Sequence, residues 1–215
     1  MKSWRYFIGF MAVMLYGGCG GEIVEPESVD ADHSITYYAQ PPHSKESVGY
    51  LLANTDFVDL LPIGSSPYTL LISVGDKKGQ EAVDFIRQKE GSPIKSIQEV
   101  YSGLAGNAKM YRVVTDKYFQ SRNFYVSESY RTNQSKAGAY DINVLPYITV
   151  KMHAGQDVSS VEEEYKSVLK LYRENDDGTF LFSCSFKTSY EVLMLSIHVY
   201  DKLEVAWAEP VLLRQ

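Results

Sequence analysis

Leu145-Pro-Tyr-Ile-Thr-Val-Lys-Met-His-Ala-Gly155 opens the stretch whose reading decides the fold, and the residues up to Pro210 complete it. Pro-Tyr heads a β-branched run that reads as a strand and stops at Gly155. Ser159 to Leu171 then follows a helical period that places Val161, Tyr165, Val168 and Leu169 together, with Ser160 and Glu163 spaced as a capping box. Two strands come next, 170–174 and 179–187, joined by the turn signal Asn175-Asp-Asp-Gly178. A second helix, Ser189 to Asp201, turns Val192, Leu193, Leu195, Ile197 and Val199 mostly inward. Val205-Ala-Trp-Ala-Glu-Pro210 closes the set as a strand.

Working outward, the same order recurs upstream. Pro67-Tyr-Thr-Leu-Leu-Ile-Ser-Val-Gly75 also opens on Pro-Tyr, runs as a strand and stops at Gly. A helix over 78–89 follows, with Ala82, Phe85 and Ile86 on one face. Strands at 94–101 and 109–115 come next, joined around Gly103-Leu-Ala-Gly106, then a short helix at 116–123 and a strand, Phe124-Tyr-Val-Ser-Glu-Ser129. Strand–helix–strand–strand–helix–strand is the split βαβ, or ferredoxin-like, order: an antiparallel sheet with helices on one face. The expected fold class is therefore α+β, with two tandem modules at 46–130 and 145–215 and a polar linker at 131–144. A single irregular α+β domain whose halves agree by chance is the other reading. The chain holds 17 tyrosines, many in strand-like alternations, which also favours sheet-rich structure.

The N-terminus carries a different message. Lys2 and Arg5 precede an apolar run from Tyr6 to Tyr16, and Gly17-Gly18 stand directly before Cys19. Basic start, apolar centre and small residues at the cut make residues 1–18 a secretory signal. The apolar run is shorter than the about 20 residues a spanning helix needs. The cut resembles a bacterial lipobox with Cys19 as the lipidated residue, although Tyr16 stands where leucine is usual. An ordinary signal peptide, leaving Cys19 as a thiol, is the alternative. Residues 19–45 are rich in Glu, Asp, Pro and Ser and read as a flexible tether. The expected location is the cell envelope, with the membrane reached through lipid.

Loss of Lys2 and Arg5 leaves 19 basic against 27 acidic residues, a net charge of −8, which argues against nucleic acid as a partner. With Cys19 acylated, Cys184 stands alone. Its strand, Phe180-Leu-Phe-Ser-Cys-Ser-Phe186, puts it on the face of Phe180, Phe182 and Phe186, so it reads as core. His33 and His43 fall in the tether, His153 at a strand end and His198 on a helix flank, partly buried. No metal spacing joins them, so neither a metal nor another cofactor is expected. Gly75-Asp-Lys-Lys-Gly79 lacks the spacing of a phosphate loop and reads as a turn. Glu162, Glu163 and Glu164 diverge around a helix. No catalytic residue and no enzyme activity are expected.

Val205-Ala-Trp-Ala-Glu-Pro210, following a helix, resembles the last strand of the N-terminal propeptides of bacterial subtilisin-like serine proteases. Leu145 to Met152 looks like their first strand, and 165–174 and 179–185 like their second and third. The resemblance covers about 145–215, and more loosely 67–215. It implies a module that binds, inhibits or helps fold such a protease. The open face of the sheet would pack on the enzyme, and the tail would lie in the cleft as an added strand. By motif, Trp207 and Glu209 would meet the enzyme, with Glu209 at helix N-termini, and Leu212, Leu213, Arg214 and Gln215 would enter the cleft. The protease's nucleophile and histidine motifs are absent from the chain. Three expectations follow: an inhibitor or folding helper, a structural or ligand-binding surface lipoprotein, or the detached front part of a split protease.

Overall fold

The computed structural model describes residues 25–40, 42, 48–51, 57–62, 67–100, 108–132 and 141–214. Four strands come first: Ser28–Asp30 (β1), Ile35–Tyr38 (β2), Val48–Leu51 (β3) and Phe57–Pro62 (β4). Then come Tyr68–Val74 (β5), the helix Lys77–Gln88 (α1), Ile94–Val100 (β6), Lys109–Thr115 (β7), Tyr118–Ser121 (β8) and Tyr125–Thr132 (β9). The C-terminal half holds Asp141–Met152 (β10), Ser159–Tyr165 (α2), Leu169–Glu174 (β11), Thr179–Cys184 (β12), Ser189–Tyr200 (α3) and Val205–Arg214 (β13). The protein is α+β, and its named strands pair antiparallel.

The two halves share one strand order. In the C-terminal half the sheet runs β13-β10-β12-β11, and in the N-terminal half β9-β5-β7-β6. Numbering in chain order only the four strands of each ladder, which leaves out β1–β4 and β8, both read fourth, first, third, second. The halves are also joined: Ser129, Tyr130 and Arg131 of β9 pair with Asn143, Ile142 and Asp141 of β10. The ladder thus enters the stretch expected as a linker. Residues 131–132 finish β9 and 141–144 begin β10, while 133–140 lie outside the described residues.

Local chemistry explains the helix starts. Asp76 caps α1 by accepting from the Gly79 amide at 2.8 Å, so the glycine-bounded loop is a helix start. Gly79 has a packing reason too: a Cβ there would stand 3.1 Å from Val74 Cγ1 and 3.4 Å from Phe124 Cβ. Thr188 and Glu191 form a reciprocal capping box at α3. The box expected from Ser160 and Glu163 does not form. Val158 is the cap residue of α2 and makes no side-chain cap bond, while Ser160 Oγ donates to the Asp157 carbonyl. That helix ends at Tyr165, short of the expected Leu171, because Leu169 onward pairs with β12.

Two further expectations are corrected. The helix expected at 116–123 is the strand β8, because Tyr118 and Phe119 find a partner in β2 and bury themselves there at 1% and 0% exposure. That partner lies inside the stretch read as a tether. Ile35 and Tyr37 of β2 are buried in the core of the first half, which lifts at least residues 28–38 out of the flexible class. The remaining tether residues 19–24, 41 and 43–45, the signal segment 1–18, Gly103–Gly106 and His43 lie outside the described residues.

Alternation along each strand sorts the apolar residues into three clusters. Ile148 and Val150 of β10, Phe182 of β12 and Ala208 of β13 meet Val161 and Tyr165 of α2 and Val192, Leu193, Leu195 and Val199 of α3. Leu70, Ile72 and Val74 of β5 meet Ala82, Val83 and Ile86 of α1 with Tyr111, Val113 and Phe124. The third cluster draws on the opposite faces: Leu71 and Met110 from the N-terminal half, Leu145, Tyr147 and Leu181 from the C-terminal half. Several tyrosines satisfy their hydroxyls on the way in. Tyr68 donates to the Ala39 carbonyl at 2.6 Å and Tyr125 to the Val144 carbonyl at 2.8 Å.

Candidate binding surface

β10 decides what each face of the C-terminal sheet presents. Ile148, Val150 and Met152 point to the helices, so Tyr147, Thr149 and Lys151 occupy the open face. Register carries this parity to β13, where Lys151 stands opposite Trp207 and Thr149 opposite Glu209. Trp207, Glu209, Val211 and Leu213 therefore share the open face, while Ala208 and Leu212 face the helices. On the far side of β10, Tyr147 meets the ring of Tyr172 edge-on, with centroids 5.8 Å apart. Tyr172 is exposed, and Trp207 and Glu209 are half-buried.

The first half covers part of this face. Val211 and Leu213 pack into the cluster of Leu71, Met110, Leu145, Tyr147 and Leu181, where Leu71 is fully buried. The C-terminal residues expected to lie beyond the core are thus structural. β13 continues to Arg214, with Leu212 opposite Val144, Leu213 opposite Asn143 and Arg214 opposite Ile142. Of the residues singled out for partner contact, Trp207 and Glu209 come together on an accessible face. Leu212 and Leu213 pack to opposite sides of the sheet. Gln215 and Cys19 lie outside the described residues.

Where the halves meet, a buried polar cluster fills the join. Val144 N donates to Ser127 Oγ at 3.0 Å, Asn143 Nδ2 to the Glu128 carbonyl at 3.1 Å, and Ser129 Oγ to the Thr69 carbonyl at 2.8 Å. Glu128, only 4% exposed, accepts from Tyr130 Oη at 2.6 Å through Oε1, and the same hydroxyl lies 2.8 Å from Ser189 Oγ at the start of α3. Oε2 of Glu128 is buried and has no hydrogen-bond partner among the described residues. Burial raises this carboxyl to about 7, against the lowering effect of the Tyr130 hydrogen bond. Burial likewise drives the hydroxyls of Tyr118, Tyr125 and Tyr130 well above their ordinary range.

Sequence reasoning passed over Glu128, reading it only as part of a closing strand. The signal was its parity: it shares a strand face with Phe124 and Val126, both buried. The exposed ring of Tyr172, resting edge-on against the buried Tyr147, is a further surface feature the sequence does not single out, because their encounter depends on β12 standing between β10 and β11. Cys184 packs against the helix-side core, and burial pushes its thiol up to about 12, so at neutral pH it is a thiol and not a nucleophilic thiolate. His153 and His198 are both exposed, the latter against the expectation of partial burial. Among the described residues no group of three His, Cys, Asp or Glu side chains is placed to hold a metal ion. No described helix is long and apolar enough to cross a membrane. No family model, curated protein or solved structure matches the chain.

Proposed function

We propose that this chain is an exported lipoprotein, attached to the cell envelope through lipid on Cys19, that works by binding and not by catalysis. Its two halves are tandem ferredoxin-like modules of the propeptide type, the second the better preserved. The shared fourth-first-third-second strand order supports that assignment, since it is the order of a split βαβ pair. Binding runs through the uncovered part of the open face, where Trp207, Glu209, Thr149 and Tyr172 present aromatic and polar groups together. The observation that carries this reading is the parity of β13, which puts Trp207 and Glu209 on the same accessible face.

A subtilisin-like serine protease is the partner the sequence resemblance supports, but the geometry favours docking over inhibition. An inhibitory tail must leave its own sheet and enter the cleft as a strand. Here Leu212, Leu213 and Arg214 are paired with β10, and Val211 and Leu213 are partly buried. The test is to titrate the full chain against subtilisin-like proteases of the same envelope, following binding and peptidase activity separately. Binding that Trp207→Ala with Glu209→Gln abolishes, at unchanged peptidase activity, is the expected result. Inhibition of the peptidase by the intact, folded chain supports the inhibitor reading instead. Absence of binding to any of them leaves a structural or ligand-binding surface lipoprotein.

A further inference from the structure

Strand register sorts the charges of the C-terminal half. Between Leu145 and Arg214 the chain carries seven basic and eleven acidic residues. Lys151 stands opposite Thr179, Lys170 opposite Ser183 and Arg173 opposite Leu181, which places all three on the open face with Tyr147 and Leu181. Leu169 and Leu171 turn to the helices, as does Glu174 opposite Phe180. The strand positions of the open face thus hold three basic residues and one acid, Glu209, while four basic and ten acidic residues lie elsewhere in this half. Several lysines of the chain are neutralised by carboxylates, Lys95 by Asp116 at 2.6 Å and Lys117 by Glu27 at 2.7 Å among them. Among the described residues, none of Lys151, Lys170 and Arg173 has a carboxylate within ion-pair distance. Lys151 donates to the Asp177 carbonyl, and Arg173 Nε to Asn175 Oδ1 at 2.8 Å. Asp177, in the adjoining turn, spends its carboxylate on the amide and hydroxyl of Thr179.

We propose, resting on the binding-face reading above, that the partner presents an acidic protein segment to this face. Its carboxylates meet Lys151, Lys170 and Arg173, and its apolar groups meet Tyr172 and Trp207. Opposite potentials across an interface steer encounter and fix register. Arg, Tyr and Trp are the residue types that carry most interface energy. Lys170, Tyr172 and Arg173 are exposed, and Lys151 and Trp207 are half-buried, so charge and aromatic surface are offered together. From β13 to β11 the face spans three strand spacings, about 14 Å. About four extended residues cover that distance. An anionic membrane is the poorer match, because polybasic attachment uses clusters of about four to eight Lys or Arg, and here three stand beside Glu209.

Trp207 is the one tryptophan beyond the signal segment, so its emission in the mature chain reports on this face. The mature chain from Cys19, in neutral detergent, is titrated with a peptide of Glu-Glu-Leu repeats, about twelve residues long, and with Lys-Lys-Leu and Gln-Gln-Leu versions. The acidic peptide alone is expected to shift the emission, with a Kd below about 1 mM that rises with salt. Lys170→Glu with Arg173→Glu weakens this binding by about tenfold or more. Lys77→Glu with Lys78→Glu, the same change in net charge on α1 of the other half, leaves it unchanged. Circular dichroism checks that both variants are folded. Equal weakening by the two double variants overturns the proposal, because only overall charge would then matter. An equal response to all three peptides overturns the acidic assignment while the binding face stands. An emission shift in phosphatidylglycerol vesicles and not in phosphatidylcholine vesicles, with the acidic peptide silent, assigns the face to an anionic membrane instead. Silence toward the acidic peptide overturns the proposal in any case, and the protease titration above decides separately whether the face binds at all.

Discussion

Replacing Glu128 by glutamine tests the buried join between the halves and has a sign that can be worked out. Burial raises the carboxyl from its ordinary 4.5 to about 7. Below pH 4.5 the group is protonated folded or unfolded and contributes no pH-dependent term. Between 4.5 and 7 the unfolded chain releases its proton first, so stability falls as pH rises. Above 7 both states are ionised, and the folded state carries the full cost, roughly 3 kcal/mol. Against a total of about 5–15 kcal/mol for a typical domain, that is a large fraction. Glu128→Gln removes the titration but introduces an amide N–H₂ where Oε2 has no partner among the described residues, a pH-independent cost of about 1–3 kcal/mol. The diagnostic is therefore the shape of the difference curve. Urea unfolding of both chains, followed by Trp207 fluorescence from pH 4 to 8.5, is expected to show wild type losing about 3 kcal/mol relative to the variant across pH 4.5–7. Tyr130→Phe removes the hydrogen bond that favours the ionised form, and moves the wild-type midpoint upward. Difference curves flat to within about 0.5 kcal/mol would refute the reasoning, because Glu128 would then titrate alike in both states.

Leu193 is fully buried in the helix-side core, and Leu193→Ala is expected to cost about 2–4 kcal/mol in urea unfolding, whereas Ile197→Ala, at a half-buried position, costs less. A loss below about 0.5 kcal/mol at Leu193 contradicts the packing of α3. Removing residues 211–215 takes Val211, Leu212 and Leu213 from two clusters and unpairs the start of β10, so the truncated chain should lose at least about 2 kcal/mol. Unchanged stability would show that the tail contributes little to the fold. Cys19→Ser should leave a chain that is exported but no longer partitions with membranes, and an unchanged membrane fraction would remove the lipid anchor from the proposal.

Much of the C-terminal half was legible in the chain itself, because its signals are local. The turn Asn175-Asp-Asp-Gly178 places Gly178 at φ 70°, a conformation cheap for glycine, and the strands on either side pair as the alternation implied. Apolar period set the inward faces of α1 and α3, and Val192, Leu193, Leu195 and Val199 are buried as that period requires. Cys184 was legible as core for the same reason. Local signals also misled where the competing partner was remote. Tyr118 and Phe119 became strand because β2 lies beside them, some eighty residues earlier in the chain. Leu169 left the helix for the same reason, its ladder to Cys184 outweighing one more helical turn.

What tertiary structure alone decided is which polar and apolar residues ended inside. Glu128 shares its strand parity with Phe124 and Val126, and Glu209 shares its own with Trp207 and Val211, so parity marks both as candidates for burial and does not separate them. The docking of β9 against β10 buries Glu128 and raises its carboxyl, while the open face of β13 leaves Glu209 half-buried. Val211 and Leu213 read as an apolar tail until the first half supplied Leu71 and Met110 to cover them. Period reports which side of a strand a residue takes. Whether that side meets water depends on what the rest of the chain stacks against it, and burial free energy follows the stacking.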